Sequence, residues 1–78
     1  MANKQIQRYL SIISCLRLKR STYKEIATYW RDQCDLLSIK YNFSKRTFER
    51  DMIDIAEVYS VSISYDNASK NYSIDSEE

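Results

Sequence analysis

SKRTFERDMIDIAEVYSVSISYD, residues 44–66, changes its hydrophobic period partway along. Phe48, Met52, Ile55, Ala56 and Tyr59 recur at the spacing of one helical face. From Val61 the period falls to two, with Val61, Ile63 and Tyr65 alternating with Ser62 and Ser64. The stretch therefore reads as a helix running directly into a strand. Ser44 is a natural N-cap, so the helix is predicted over Lys45–Tyr59. Residues 66–71, DNASKN, are turn-rich, and Tyr72 and Ile74 resume the alternation, which makes 61–75 a hairpin. The chain has no glycine, so Asn67 and Asn71 are the expected positive-φ residues. Ser76, Glu77 and Glu78 are expected to fray.

Two further amphipathic helices precede this stretch. Ile6, Tyr9, Leu10, Ile13 and Leu16 share one helical face over Asn3–Leu18, with Lys4, Arg8 and Ser11 read as the opposite, solvated face. Lys19 and Arg20 close that helix at the end where the macrodipole favours cations. Thr22–Glu25 reads TYKE, a capping box. Tyr23, Ile26, Ala27, Trp30, Cys34 and Leu37 continue in phase, predicting a second helix over Tyr23–Ser38 and a connection over 39–43. Three helices followed by a hairpin in 78 residues is mostly α with a small β-hairpin, the plan of a three-helix winged helix-turn-helix. One domain over 1–75 with a tail over 76–78 accounts for the chain.

Composition narrows the function. With no His, Gly or Pro there is no imidazole base, phosphate-cradling loop or strained nucleophile elbow, so no catalysis and no cofactor are expected. Asp51 and Asp54 read as solvated carboxylates on the third helix. Cys15 and Cys34 lack zinc-ligand spacing and read as reduced thiols, hence no metal site. Without a signal peptide or membrane-spanning run, a cytoplasmic protein with no membrane partner is expected. The net charge of +1 conceals an asymmetry: residues 1–20 carry five bases and no acid, whereas residues 61–78 carry four acids and one base.

In a helix-turn-helix the second helix of the pair enters the DNA major groove and its partner crosses the backbone. Lys45 and Arg46 oppose the dipole at the start of the third helix, an arrangement that costs stability until an anion arrives. Lys45, Arg46 and Arg50 suit phosphate or guanine contacts, and Thr47 a thymine methyl or a phosphate. Lys19 and Arg20 are candidate backbone contacts, and Lys70 a candidate wing contact. The competing interpretation is a solvated helix face in which Arg50 pairs with Asp54 at i, i+4. A further alternative is a protein–protein assembly or dimerisation module without direct DNA contact. It requires Ile12, Leu18, Leu36, Ile39 and Ile53 to form one contiguous apolar patch.

Ser44-Lys45-Arg46-Thr47-Phe48-Glu49-Arg50-Asp51, then Ile55-Ala56-Glu57, Val61–Asp66 and Asn71-Tyr72-Ser73-Ile74, resembles the N-terminal winged helix of bacterial WYL-domain transcriptional regulators (DeoR-type HTH). The resemblance spans Gln5 to Ile74. It implies sequence-specific binding of double-stranded DNA for transcription regulation, as a homodimer on a two-fold site in the intact protein. It places Ser44, Lys45, Arg46, Thr47 and Arg50 on DNA, and Phe48, Ile55, Ile63 and Tyr72 in the core. Asn71 stands where the family has a wing glycine, and helix 2 with its connection is longer than in a minimal helix-turn-helix. Members of that family continue into an effector-sensing WYL domain, which these 78 residues do not contain.

Overall fold

Each helix begins on a cap written into the sequence. In the computed structural model, which describes residues 3–77, α1 spans Lys4–Leu18, α2 Tyr23–Leu37 and α3 Lys45–Tyr59, followed by β1 (Val61–Asp66) and β2 (Asn71–Glu77). Asn3 Oδ1 accepts from the Gln5 and Ile6 amides at 2.9 and 3.2 Å. Thr22 and Glu25 form the reciprocal capping box, with Thr22 N–H donating to Glu25 Oε1 at 2.9 Å. Ser44 Oγ accepts from the Thr47 amide at 3.1 Å. Both α2 and α3 end on a left-handed serine, Ser38 (φ 57°) and Ser60 (φ 56°), positions where glycine is the usual choice.

β1 and β2 pair antiparallel, with Ile63 opposite Ile74 and Tyr65 opposite Tyr72. The register jumps between Ser62 and Ile63, whose partners are Ser76 and Ile74. Pairing continues to Val61 opposite Glu77, so Ser76 and Glu77 belong to the strand and not to a frayed tail; Glu78 lies outside the described residues. Ser21, between α1 and α2, bridges Tyr72 through two backbone hydrogen bonds of 3.0 and 2.7 Å. The residue at positive φ in the hairpin turn is Lys70 (φ 60°), not Asn67 or Asn71. Asp66 makes that geometry affordable: its carbonyl accepts from the Lys70 amide at 2.7 Å, and its carboxylate accepts from the Ala68 amide and the Ser69 hydroxyl.

Ile12, Ile26, Phe48 and Ile55 are sealed from solvent, with Tyr9, Ile13, Leu16, Val61 and Tyr72 around them. Phe48 meets the Tyr72 ring edge-on at 4.8 Å, and Tyr23 stacks on Phe43 at 5.7 Å. The face of α1 differs from the sequence expectation. Ile6 and Leu10 are each 43% exposed, whereas Ile12, Cys15 and Ser11 are buried. The helix is rotated toward Ile12 because α1 must reach α2, β2 and α3 at once. Among the described residues, no helix is long and apolar enough to cross a membrane.

That rotation also turns Arg8 inward. Its Nη2 and Nε donate to the two carboxylate oxygens of Asp51 at 2.8 and 2.5 Å, and Asp51 is 1% exposed. One residue on, Tyr9 Oη donates to Asp54 Oδ2 at 2.7 Å. Arg8, Asp51 and Asp54, all read from the sequence as solvated, therefore bind α1 to α3. Burial, followed by the bond to Asp54, pushes the Tyr9 phenol up to about 12. An unfolded tyrosine ionises near pH ~10, so the unfolded chain releases this proton first as pH rises. Stability is thus intact below about pH 10 and falls as pH climbs toward the folded value. Thermal melts of Tyr9→Phe should show a loss of about 1 kcal/mol at neutral pH and a shallower alkaline decline than wild type. Identical alkaline declines would remove Tyr9 as its source.

Candidate nucleic-acid interface

The start of α3 carries its cations outward. Lys45, Arg46 and Arg50 are exposed, and Thr47 is half-buried. Ser44 Oγ, besides accepting from the Thr47 amide, donates to Thr47 Oγ1 at 3.0 Å, so the two hydroxyls at the helix start are locked together. Of the acids in the same helix, Asp51 is engaged by Arg8 and Asp54 by Tyr9, leaving Glu49 and Glu57 at the surface. Among the described residues no ion pair joins Arg50 to Asp54, because the Asp54 carboxylate is turned to α1. Arg8 thus offsets the Asp51 charge and Tyr9 holds the Asp54 carboxylate toward α1, which leaves Glu49 as the exposed acid among the three cations.

The hairpin flanks this helix on one side. Tyr72 packs on Phe48, and Glu49 is close enough to help raise the Tyr72 phenol, after the larger effect of burial. Lys70 is exposed in the turn. Arg20 is exposed at the α1–α2 corner, next to the Ser21–Tyr72 bridge. Hydrogen bonds from Ser69 and the Ala68 amide hold the Asp66 carboxyl below its usual range, and the nearby Arg20 charge adds to them. Arg20 and the hairpin turn are therefore neighbours. Lys19 differs from the other candidates: its Nζ donates to Glu25 at 3.2 Å, so its charge is partly spent on the α2 cap.

A further set of basic and polar side chains, not expected from the sequence, gathers on α2. Lys24, Ala27, Thr28 and Arg31 of α2 line an open pocket of about 200 Å³ with Tyr41 of the α2–α3 connection. The Arg31 guanidinium lies 5.4 Å from the centre of the Tyr41 ring. The i, i+4, i+7 spacing of Lys24, Thr28 and Arg31 was a legible signal of a shared face. That Tyr41 folds over them was not, since it depends on the path of the connection.

No protein-family model matches this chain, and no curated protein or solved structure matches it.

Proposed function

We propose that this chain is a sequence-specific double-stranded DNA-binding module of a transcriptional regulator, of the type that precedes WYL domains. In this reading α3 enters the major groove, the β1–β2 hairpin is the wing, and the intact protein works in the cytoplasm as a homodimer without catalysis of its own. One observation carries it. Arg8 pairs with the buried Asp51 and Tyr9 holds the half-buried Asp54 toward α1, while Lys45, Arg46 and Arg50 stay exposed on the first two turns of α3, where Glu49 is the one exposed acid. A helix start that places cations against its own dipole is best matched by an external anion. Arg20, whose charge acts on Asp66 of the hairpin, and Lys70, exposed in the turn, suit flanking backbone contacts.

The assembly alternative loses part of its support. Ile12 is fully buried and Ile39 half-buried. Lys4 and Arg8 act electrostatically on Cys34, so the start of α1 lies near the end of α2. Leu18 and Leu36, the last turns of the two helices, consequently sit at opposite ends of the pair. An open groove of about 450 Å³ beside Leu18 and Tyr29 mixes Lys19 and Lys24 with Glu25 and Asp32, and so favours neither sign of charge.

Fluorescence anisotropy of a mixed-sequence duplex at low and moderate salt tests the proposal. Binding should weaken as salt rises and be lost in Arg46→Ala/Arg50→Ala. On a preferred site, Arg46→Ala alone should cost about 1–3 kcal/mol if the guanidinium reads a base. A wild-type chain that ignores duplex DNA even at low salt would overturn the reading and favour assembly, which light scattering would then detect.

A further inference from the structure

The start of α2 is poorly suited to an anion. Glu25 accepts from the Thr22 amide at 2.9 Å and pairs with Lys19, so a carboxylate occupies the end where a phosphate would otherwise meet free amides. The positive charge of α2 lies further along the helix. Lys24 and Arg31 share one face, and Tyr41 covers it. Thr28 Oγ1 donates to the Lys24 carbonyl at 3.0 Å, so Lys24, Arg31 and Tyr41 are the lining residues whose side-chain donors are uncommitted. Among the described residues no acid lines it, and Asp35, one turn past Arg31, makes no ion pair with it.

The connection that supplies Tyr41 is itself anchored. Tyr23 stacks on Phe43 with the rings 12° from parallel, and both contact Phe48. Tyr41 is thus held two residues before an anchored ring and three before the Ser44 cap of α3. Through Tyr41 the pocket is tied along the chain to the segment that leads into α3. The longer α2–α3 connection builds it.

We propose that the Lys24–Arg31–Tyr41 pocket holds a backbone phosphate of the same duplex, beside the groove that α3 enters. This rests on the DNA-binding reading. The guanidinium and ammonium supply charge-assisted hydrogen bonds, and the Tyr41 ring restricts Arg31 to one orientation before the phosphate arrives.

The test is anisotropy of the full chain on two unrelated duplexes over a salt series. Lys24→Ala/Arg31→Ala should flatten the slope of log affinity against log salt by roughly 2, and by the same amount on both duplexes, because backbone contacts carry no sequence information. Tyr41→Ala removes no charge, yet it should weaken binding on both duplexes by releasing Arg31. If the alanine pair melts early, Lys24→Gln/Arg31→Gln replaces it. Wild-type binding with an unchanged slope in the pair, or with Tyr41→Ala equal to wild type, would overturn the pocket and leave α3 on DNA. A wild-type chain that binds neither duplex would overturn both readings.

Discussion

Arg8→Ala is expected to destabilise this domain by about 3–5 kcal/mol, the usual cost of stranding one member of a buried ion pair. Asp51 is 1% exposed and receives both hydrogen bonds of the Arg8 fork, so removing the guanidinium leaves an ionised carboxylate without its charge partner inside the helix pair. For a chain this small, that is a large part of a total stability of about 5–15 kcal/mol. Asp51→Asn should cost a similar amount, because Arg8 then loses its counter-charge. Arg8→Met/Asp51→Leu should recover most of the loss, since apolar pairs of similar volume often replace buried ion pairs without penalty. Urea melts of the three variants check this. A midpoint for Arg8→Ala within error of wild type would mean that the pair does not hold α1 to α3 in solution.

Phe48→Ala is expected to cost about 3–5 kcal/mol as a core truncation. Phe48 is fully buried at the point where Tyr23 of α2, Phe43 of the connection and Tyr72 of β2 converge. An alanine there empties a site walled by three rings, and rings on three separate segments cannot all close in on the cavity. Ile53→Ala, one helical face away and 62% exposed, should stay within about 0.5 kcal/mol. Equal melting temperatures for the two variants would mean that α3 docks through another face.

The elements were legible because their signals are local. Ser44, Thr22 with Glu25, and the change of period after Tyr59 are each read within a few residues, and they place α2 and α3 to within a residue of the structure. The same holds for Arg46 and Arg50, whose exposure follows from their phase opposite Phe48 and Ile55, and for Lys45, exposed at the first position of the helix. Asp51 also carries a local signal. It lies three residues after Phe48 and four before Ile55, on the core side of α3, as Arg8 lies four before Ile12 in α1. Two opposite charges at core phase on different helices are a candidate pair, but 43 residues separate them, and helical phase alone does not say which helices meet.

The amino-acid sequence by itself determined the three helices, their caps, the hairpin and the cations at the start of α3, since capping and periodicity act over one or two turns. The tertiary structure alone decided how α1 is rotated, which acids of α3 it engages and that Tyr41 lies against Arg31. Those outcomes depend on contacts between distant segments, where packing selects one arrangement from several that each helix would accept. The unbalanced charge of the α3 face is such an outcome: Asp51 and Asp54 are beside Arg50 in the sequence, and the fold turns them toward α1.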